Sequence, residues 1–332
     1  MDIKLSIAIP TYNGEQYIRE TLDSIVSQLE EGMEIVVSDN ASTDGTADII
    51  REYQTKYPVI RYFCNNENLG MDRNFDLSVR RSKGEYVWLF SDDDKMVYGG
   101  IRKVLEVLRD YKDLSAVFVN WGSYSDDFMQ CHKERVLDIR EDLFCRDSDS
   151  FLFNVRLNSI FISANVVRRL LYIRLNHSRY VGSNWLHVGA LLAILRGHTS
   201  YCISTPYVMY RHAVRGWKDN YSIHLENSIA LAEIIHGLSI TDYSRKSVDK
   251  ALKVIVKSLP SIIHNFKDNK LSFNLPILKR MILEFKDLPF FWVFCIPLIL
   301  LPSVLHRIVI RRIKKIRKVI LTKRALKKSE AC

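Results

Sequence analysis

Between Leu5 and Val119, five short apolar runs alternate with stretches whose apolar residues recur at helical spacing. LSIAIP (5–10), EIVVS (34–38), VIRYF (59–63), YVWLF (86–90) and AVFV (116–119) read as buried strands. Ile18, Leu22, Ile25, Val26 and Leu29 mark the first helix, residues 46–53 and 71–80 the next two, and Ile101, Val104, Leu105 and Leu108 the fourth. This alternation predicts an α/β fold with a mostly parallel central sheet covered by helices. Ligands in such sheets bind beyond the carboxyl ends of the strands.

Polar residues gather at those ends. The first strand runs into Thr11-Tyr12-Asn13-Gly14, the second into Asp39-Asn40 and on to Asp44-Gly45, the third into Asn65-Asn66-Glu67-Asn68-Leu69-Gly70, and the fourth into Ser91-Asp92-Asp93-Asp94. Each cluster alone is ordinary turn and capping chemistry. Four of them at successive strand ends form a rim of amides, hydroxyls and carboxylates along one edge of the sheet.

Composition narrows the class. A hydrophobic content of 47% over 332 residues supports a sizeable core. The six cysteines are scattered without a CxxC pair, so neither a disulfide framework nor a zinc module is indicated, and a reducing compartment fits. The apolar run ending at Pro10 is too short for a signal peptide. The net charge of +10 sits in residues 303–332, which hold eleven Lys/Arg against Glu330, while the rest of the chain balances its charges. A neutral body argues against a nucleic-acid partner, which calls for a basic face on the folded domain. A dinucleotide-binding sheet is disfavoured too, because the first strand runs into PTYNG and not GxGxxG.

IAIPTYNG (7–14), EIVVSDNASTDGT (34–46), NENLGMDRN (66–74) and GEYVWLFSDDD (84–94) resemble, in order and spacing, the motifs of the family-2 glycosyltransferases with the GT-A fold. The resemblance covers the first 120 residues well and about the next 90 loosely. It implies transfer of a sugar from a nucleotide diphosphate donor to a saccharide acceptor, with inversion, in bacterial surface polysaccharide synthesis such as that of O-antigen or capsule. It also implies donor contacts from Thr11, Tyr12, Asn13, Asp39, Asn40, Asp44, Asn68, Gly70, Arg73, Asn74 and Asp92. Thr11 and Tyr12 would line the base and Asp39 would accept a hydrogen bond from it. For Arg73 the alternative is a helix-surface ion pair.

A departing diphosphate gathers negative charge, which a divalent cation stabilises as a Lewis acid. Mg²⁺ and Mn²⁺ take oxygen ligands, commonly one or two carboxylates plus substrate phosphates. Asp93 is expected to hold the cation, with Asp92 on the ribose or the cation and Asp94 able to exchange roles with either. Ser91 stands where the family's Asp-x-Asp-Asp pattern has its first aspartate. Where many relatives carry a Glu-Asp pair with the general base, this chain reads Gly182-Ser183-Asn184-Trp185-Leu186-His187. His187 is the candidate base, against the alternative of a packing histidine on an apolar helix, with Asp126 and Asp127 in reserve. The run Tyr210 to Trp217 resembles the loop that closes over the donor, where His212 or Arg215 would meet the cation or the diphosphate. The missing Glu-Asp pair keeps open a second reading, a catalytically idle nucleotide-sugar-binding or scaffold protein.

The expected division is a GT-A domain over 1–217, with a donor half to 120 and an acceptor half after it, a helical region over 218–286, and a membrane-associating tail over 287–332. Leu288 to Leu305 is free of charge but holds Pro289, Pro297 and Pro302. As a helix it would reach about 27 Å, short of a bilayer core of ~30 Å. Leu305, Val309, Ile313, Ile316 and Ile320 then form one stripe, with Arg311, Lys314, Lys315 and Lys318 largely away from it. That is the pattern of a basic amphipathic helix on an anionic membrane surface. A peripheral or monotopic place on the cytoplasmic face of the inner membrane, a lipid-linked acceptor, and solubility of a chain cut near Lys286 are the corresponding expectations.

Overall fold

The computed structural model describes residues 3–212, 221–238 and 242–301. Among these, one compact unit takes 3–212 with 237–238 and 242–251, and a second takes 221–236 and 252–301. The expected basic stripe of the tail lies outside the described residues.

The first unit opens with β1 (Leu5–Thr11), α1 (Ile18–Val26), β2 (Met33–Asp39), α2 (Thr46–Lys56), β3 (Ile60–Cys64), α3 (Met71–Arg81) and β4 (Tyr86–Leu89). A two-residue β5 (Lys95–Met96), α4 (Gly100–Asp110), β6 (Ala116–Tyr124), β7 (Cys131–Lys133), β8 (Leu143–Cys145) and α5 (Ser148–Val155) come next. Then come β9 (Asn165–Arg168), α6 (Arg169–Ile173), α7 (Leu186–Ile194) and β10 (Ser200–Arg211). The main sheet runs in the order β3-β2-β1-β4-β9-β6-β10-β5. β1, β2 and β4 are buried along their whole length, which is why these segments read as predominantly apolar runs and not as alternating ones.

The sheet is mixed. β9 enters antiparallel between β4 and β6, whereas β1 pairs in parallel with β2 and β4, and β6 with β10. Because β9 opposes both of its neighbours, β4, β6 and β10 point the same way. The rim therefore continues past the acidic turn to the ends of β6 and β10. β10 also bulges between Ile203 and Val208, where Pro206 needs no ladder hydrogen bond.

The second unit contains α8 (Tyr221–His236), the larger part of α9 (Arg245–Asp268), α10 (Leu275–Phe285), a π turn over Phe291–Cys295 and α11 (Ile296–Leu300). The charge-free segment belongs to its core. Leu288, Phe291, Cys295 and Leu298 are buried, the Phe285 and Phe291 rings stand 5.7 Å apart, and Lys267 Nζ donates to the carbonyls of Leu298 and Ile299 at 2.9 Å. A cut near Lys286 would strip this packing, so the expected boundary for a soluble piece moves beyond Leu301. None of the described helices is long and apolar enough to cross a membrane.

One buried charge in the sheet can be tested directly. Glu34 on β2 accepts from the Ser6 hydroxyl at 2.7 Å, Arg61 Nη1 at 2.8 Å and the Lys83 amide at 2.5 Å. Burial alone would raise its carboxyl, but the Ser6 hydroxyl, Arg61 and the Lys83 amide outweigh it and hold the group below its ordinary 4.5. The folded state thus binds this proton less readily than the unfolded chain does, and the contribution is full above pH 4.5 and lost as pH falls through the lowered value. Glu34→Gln should cost about 1–3 kcal/mol at neutral pH. Urea unfolding should show the difference shrinking in acid, and a pH-independent difference would deny the charge its role.

Candidate active site

The rim is built by loops that bond to one another. Asn13, at φ 50°, donates its amide to Ser42 Oγ at 2.9 Å, and its side-chain oxygen accepts from the Thr43 amide at 2.9 Å. Asp44 accepts from the Thr46 amide at 3.1 Å and hydroxyl at 2.5 Å and from the Glu15 amide at 3.1 Å. Asn13 and Asp44 thus join the turns after β1 and β2, and this chemistry shapes the rim. Gly14 is required sterically: a Cβ there would lie 2.5 Å from both Asp92 Oδ2 and Thr11 Oγ1.

The expected donor-side residues divide into struts and open groups. Asp39 is fully buried and accepts from the Ser42 amide and hydroxyl at 2.9 and 2.6 Å and from the Tyr62 hydroxyl at 2.7 Å. Burial and that carboxylate push the Tyr62 phenol up. Asn40 donates to Asn68 Oδ1 at 2.7 Å and accepts from Asn65 at 2.9 Å and the Leu69 amide at 3.0 Å. Asn68 also accepts from the Gly70 amide at 2.9 Å, and Gly70, at φ 84°, opens α3. Asn74, buried, accepts from the Ser38 hydroxyl at 2.8 Å and donates to the Ser38 carbonyl at 2.8 Å. Tyr12 is 45% exposed, and Arg73 is exposed with no hydrogen-bond or ion-pair partner among the described residues. These two side chains are open to solvent.

At the end of β4 the three aspartates face different ways. Asp92 Oδ2 accepts from Thr11 Oγ1 at 2.5 Å, and half-buried Asp93 accepts from the Ser91 hydroxyl at 2.5 Å. Asp94 is turned inward, with its oxygens taking the Ser163 hydroxyl at 2.6 Å and the Arg211 amide at 3.1 Å. Burial, reinforced by the charges of Asp93 and Asp92, pushes its carboxyl well up. Thr21 Oγ1 ties the turn to α1 through the carbonyls of Asp92 and Asp94 at 3.0 and 2.8 Å.

Arg211 holds this turn from the other side. Its guanidinium lies 4.8 Å from the Tyr17 ring centroid and 4.1 Å from that of Phe128. It donates to the Asp93 carbonyl at 2.6 Å, to the Asp126 carbonyl and to Glu20 at 2.5 Å. His212, one residue on, lies 2.8 Å from Ser123 Oγ through Nε2. Arg215 lies outside the described residues. In parallel register Val208 faces Trp121 and Tyr210 faces Ser123, so Trp121, Ser123, Tyr210 and His212 share one face of the sheet. Phe161 closes on them, 4.5 Å from Trp121 and 5.2 Å from Tyr210 between ring centroids. The result is a half-buried aromatic shelf beside the acidic turn.

The candidate bases have contrasting surroundings. His187 is 8% exposed, and its Nε2 is 2.9 Å from the Ile160 carbonyl, so that nitrogen carries the proton. Nδ1 is buried without a hydrogen-bond partner, and burial pushes the imidazole below its ordinary 6.5. Asp127 is tied into its own turn by the Ser125 hydroxyl at 2.6 Å and the Met129 amide at 3.0 Å, which lower its carboxyl. Asp126 keeps one buried oxygen without a hydrogen-bond partner. Tyr62, Ser163, Trp121 and Phe161 are not legible as site residues in the sequence alone, while Tyr210 and Arg211 fall in the run expected to form a loop over the donor and instead end β10. For Arg211 a signal exists, since a strand's period of two places it opposite Tyr210 and His212.

Residues 6–164 match the family described as Glycosyl transferase family 2. The chain is 31% identical over 234 residues to the abequosyltransferase RfbV of Salmonella typhimurium, a match covering 62% of this chain and 66% of that protein, just under two thirds. In fold it is similar to TarS from S. aureus, at a TM-score of 0.60, with 17% identity and coverage of 86% of this chain and 79% of that one. It is also similar to the mannosyltransferase PcManGT from Pyrobaculum calidifontis, solved with GDP-Man and Mn²⁺, at a TM-score of 0.54, with 18% identity and coverage of 85% and 79%. The order of motifs, the mixed α/β sheet with its polar rim and these likenesses converge: residues 6–164 carry a family-2 glycosyltransferase domain.

Proposed function

We propose that the protein transfers a sugar from a nucleotide diphosphate sugar to a lipid-linked saccharide in surface polysaccharide synthesis, with inversion. The observation that carries this reading is the place of the acidic turn. It lies between the β1–β3 rim, with open Tyr12 and Arg73, and the aromatic shelf on β6 and β10. A flat base and a diphosphate suit the first side. A sugar ring, apolar on its faces and polar at its edge, suits the second. The name of the RfbV relative and the GDP-Man bound in PcManGT support the same class.

The residues present fit a divalent cation. Asp93 is accessible beside Asp92, and Asp94 is raised by its burial, reinforced by the charges of Asp93 and Asp92. Among the described residues no three ligating side chains converge, so the diphosphate and water would complete the coordination of Mg²⁺ or Mn²⁺. Bound there, the cation supplies Lewis-acid stabilisation of the departing diphosphate.

For the acceptor, His187 is the favoured base. Because Nδ1 is buried in the structure, this role requires acceptor binding to open that side of the ring; the lone pair would then take the proton of the attacking hydroxyl while the new bond to the anomeric carbon forms and the bond to the diphosphate breaks on the opposite face. Asp126, with its unpartnered buried oxygen, is the second reading. Association with an anionic membrane rests on the sequence of residues 303–332 and on an exposed apolar face just before them. Trp292, Val293, Phe294 and Leu300 are 46%, 62%, 52% and 75% exposed.

Turnover of a panel of sugar nucleotides with Mn²⁺, with and without a bacterial lipid extract, tests the reading. Absence of any transfer or donor hydrolysis would favour the scaffold alternative. Asp93→Asn should leave the fold unchanged and remove metal-dependent turnover. His187→Ala should lower the rate roughly 10²-fold or more with little change in donor affinity. Because burial lowers its pKa, His187 is a neutral acceptor above a value below 6.5, so the acid limb of the rate profile should lie below 6.5 and vanish in His187→Ala. A normal rate there, with loss in Asp126→Asn, would move the role to Asp126.

A chain ending at Leu301 keeps the packed second unit and loses the basic stretch. It should bind nucleoside diphosphate normally and sediment far less with anionic vesicles, while the whole chain should loosen as salt rises, since the Debye length is ~8 Å at physiological ionic strength. Undiminished sedimentation of the short chain would place the membrane contact elsewhere.

A further inference from the structure

Asp72, in the first turn of α3, is 4% exposed. Burying a carboxylate is costly unless hydrogen bonds replace its water, and here all of the hydrogen bonds come from one turn elsewhere in the fold. Oδ2 accepts from the amides of Gly182 at 2.8 Å and Asn184 at 2.9 Å, and Oδ1 from the amide of Leu186 at 3.2 Å. The turn takes an unusual path to present them, with φ of 89° at Gly182 and 64° at Asn184. Converging amides of this kind, at the start of a helix, form a concavity suited to an anion. Asp72 fills it.

The turn leads directly into the helix that carries the candidate base. Leu186 begins α7 and His187 is the next residue, its ring held on the far side by the Ile160 carbonyl and set edge-on to Phe75 at 5.5 Å. Phe75 and Asp72 belong to the same helix. Between them, Arg73 is open to the rim and Asn74 bonds the end of β2. One helical segment therefore meets the donor rim, the strand ends and the base-bearing turn.

We propose that Asp72 is a positioning residue: by holding the 182–186 turn on α3 it sets the ring of His187 relative to Arg73 and the acidic turn. The proposal rests on the reading of His187 as the base. It makes Asp72 neither a donor contact nor a proton carrier, and its charge matters because three amide donors need an acceptor-only group. An amide in its place turns one end into a donor facing other donors.

The test uses the full chain with ¹⁵N-labelled histidine, in wild type, Asp72→Asn and Asp72→Glu. Wild-type His187 should show the Nε2–H tautomer across neutral pH, and the amides of 182, 184 and 186 should be protected from hydrogen exchange. In Asp72→Asn those amides should exchange roughly tenfold faster or more, and His187 should lose its single tautomer. Affinity for UDP, GDP, CDP or dTDP with Mn²⁺ should stay within about twofold, while turnover falls roughly 10- to 10²-fold. Asp72→Glu, which keeps the acceptor, should recover part of the tautomer preference.

Because both changes act through one ring, adding Asp72→Asn to His187→Ala should lower the rate little further. Unchanged His187 resonances in Asp72→Asn, or full additivity in the double variant, would overturn the assignment. If Asp72→Asn fails to fold, Asp72→Glu decides: a weakened tautomer preference together with faster exchange of the 182, 184 and 186 amides supports the role, and either change without the other overturns it. If no nucleoside diphosphate binds the wild type, the transferase reading falls, and the exchange and resonance results still decide the role of Asp72.

Discussion

Three neighbouring carboxylates repel one another, and the strand that carries them ends in a mostly buried place, so the chain around β4 must hold Asp92, Asp93 and Asp94 against that repulsion. Hydroxyls from three elements do part of this: Thr11 on Asp92, Ser91 on Asp93 and Ser163 on Asp94. The buried Arg211 guanidinium does the rest, placed between two aromatic rings and bonded to the carbonyls of Asp93 and Asp126. These contacts fasten the end of β10, the loop after β6 and the loop before β9 to one turn. The two sides of the site meet where the charge is hardest to hold.

Sequence pattern carries the N-terminal part of this well and the rest unevenly. β1, β2 and β4 are covered on both faces, so apolar residues dominate them and their limits can be read to within a residue or two. β9, four residues with Val166 and Val167 at its centre, and β5, two residues long, carry too little period to announce a strand, and so the antiparallel insertion is not legible in the sequence. The charge-free run at Leu288 suggests a membrane by its length and lack of charge. Its buried stripe of Leu288, Phe291, Cys295 and Leu298 has a helical period too, and this stripe packs it into the second unit.

In the site, residue type marks the rim but not the direction in which each group points. Asn40, Asn68 and Asn74 have the chemistry of donor ligands, and the same amides serve equally as struts between turns. Asp94 and Asp93 are neighbours of one type with opposite fates, because Ser163 and the Arg211 amide engage only the first. His187 illustrates the limit most clearly. α7 is apolar nearly all round, so its histidine resembles packing. Only the Ile160 carbonyl on one ring nitrogen and the lack of a hydrogen-bond partner on the other give it the character of an acceptor.

Successive residues of an α-helix point about 100° apart, so three in a row can address three directions. Asp72, Arg73 and Asn74 do so, toward the α7 turn, the open rim and the strand ends. Elements of the donor side and of the acceptor side are therefore linked through a single helical turn. The sequence NENLGMDRN holds both halves of the link, and only the donor half is visible in it, because the partners of Asp72 are backbone amides and leave no mark on residue type.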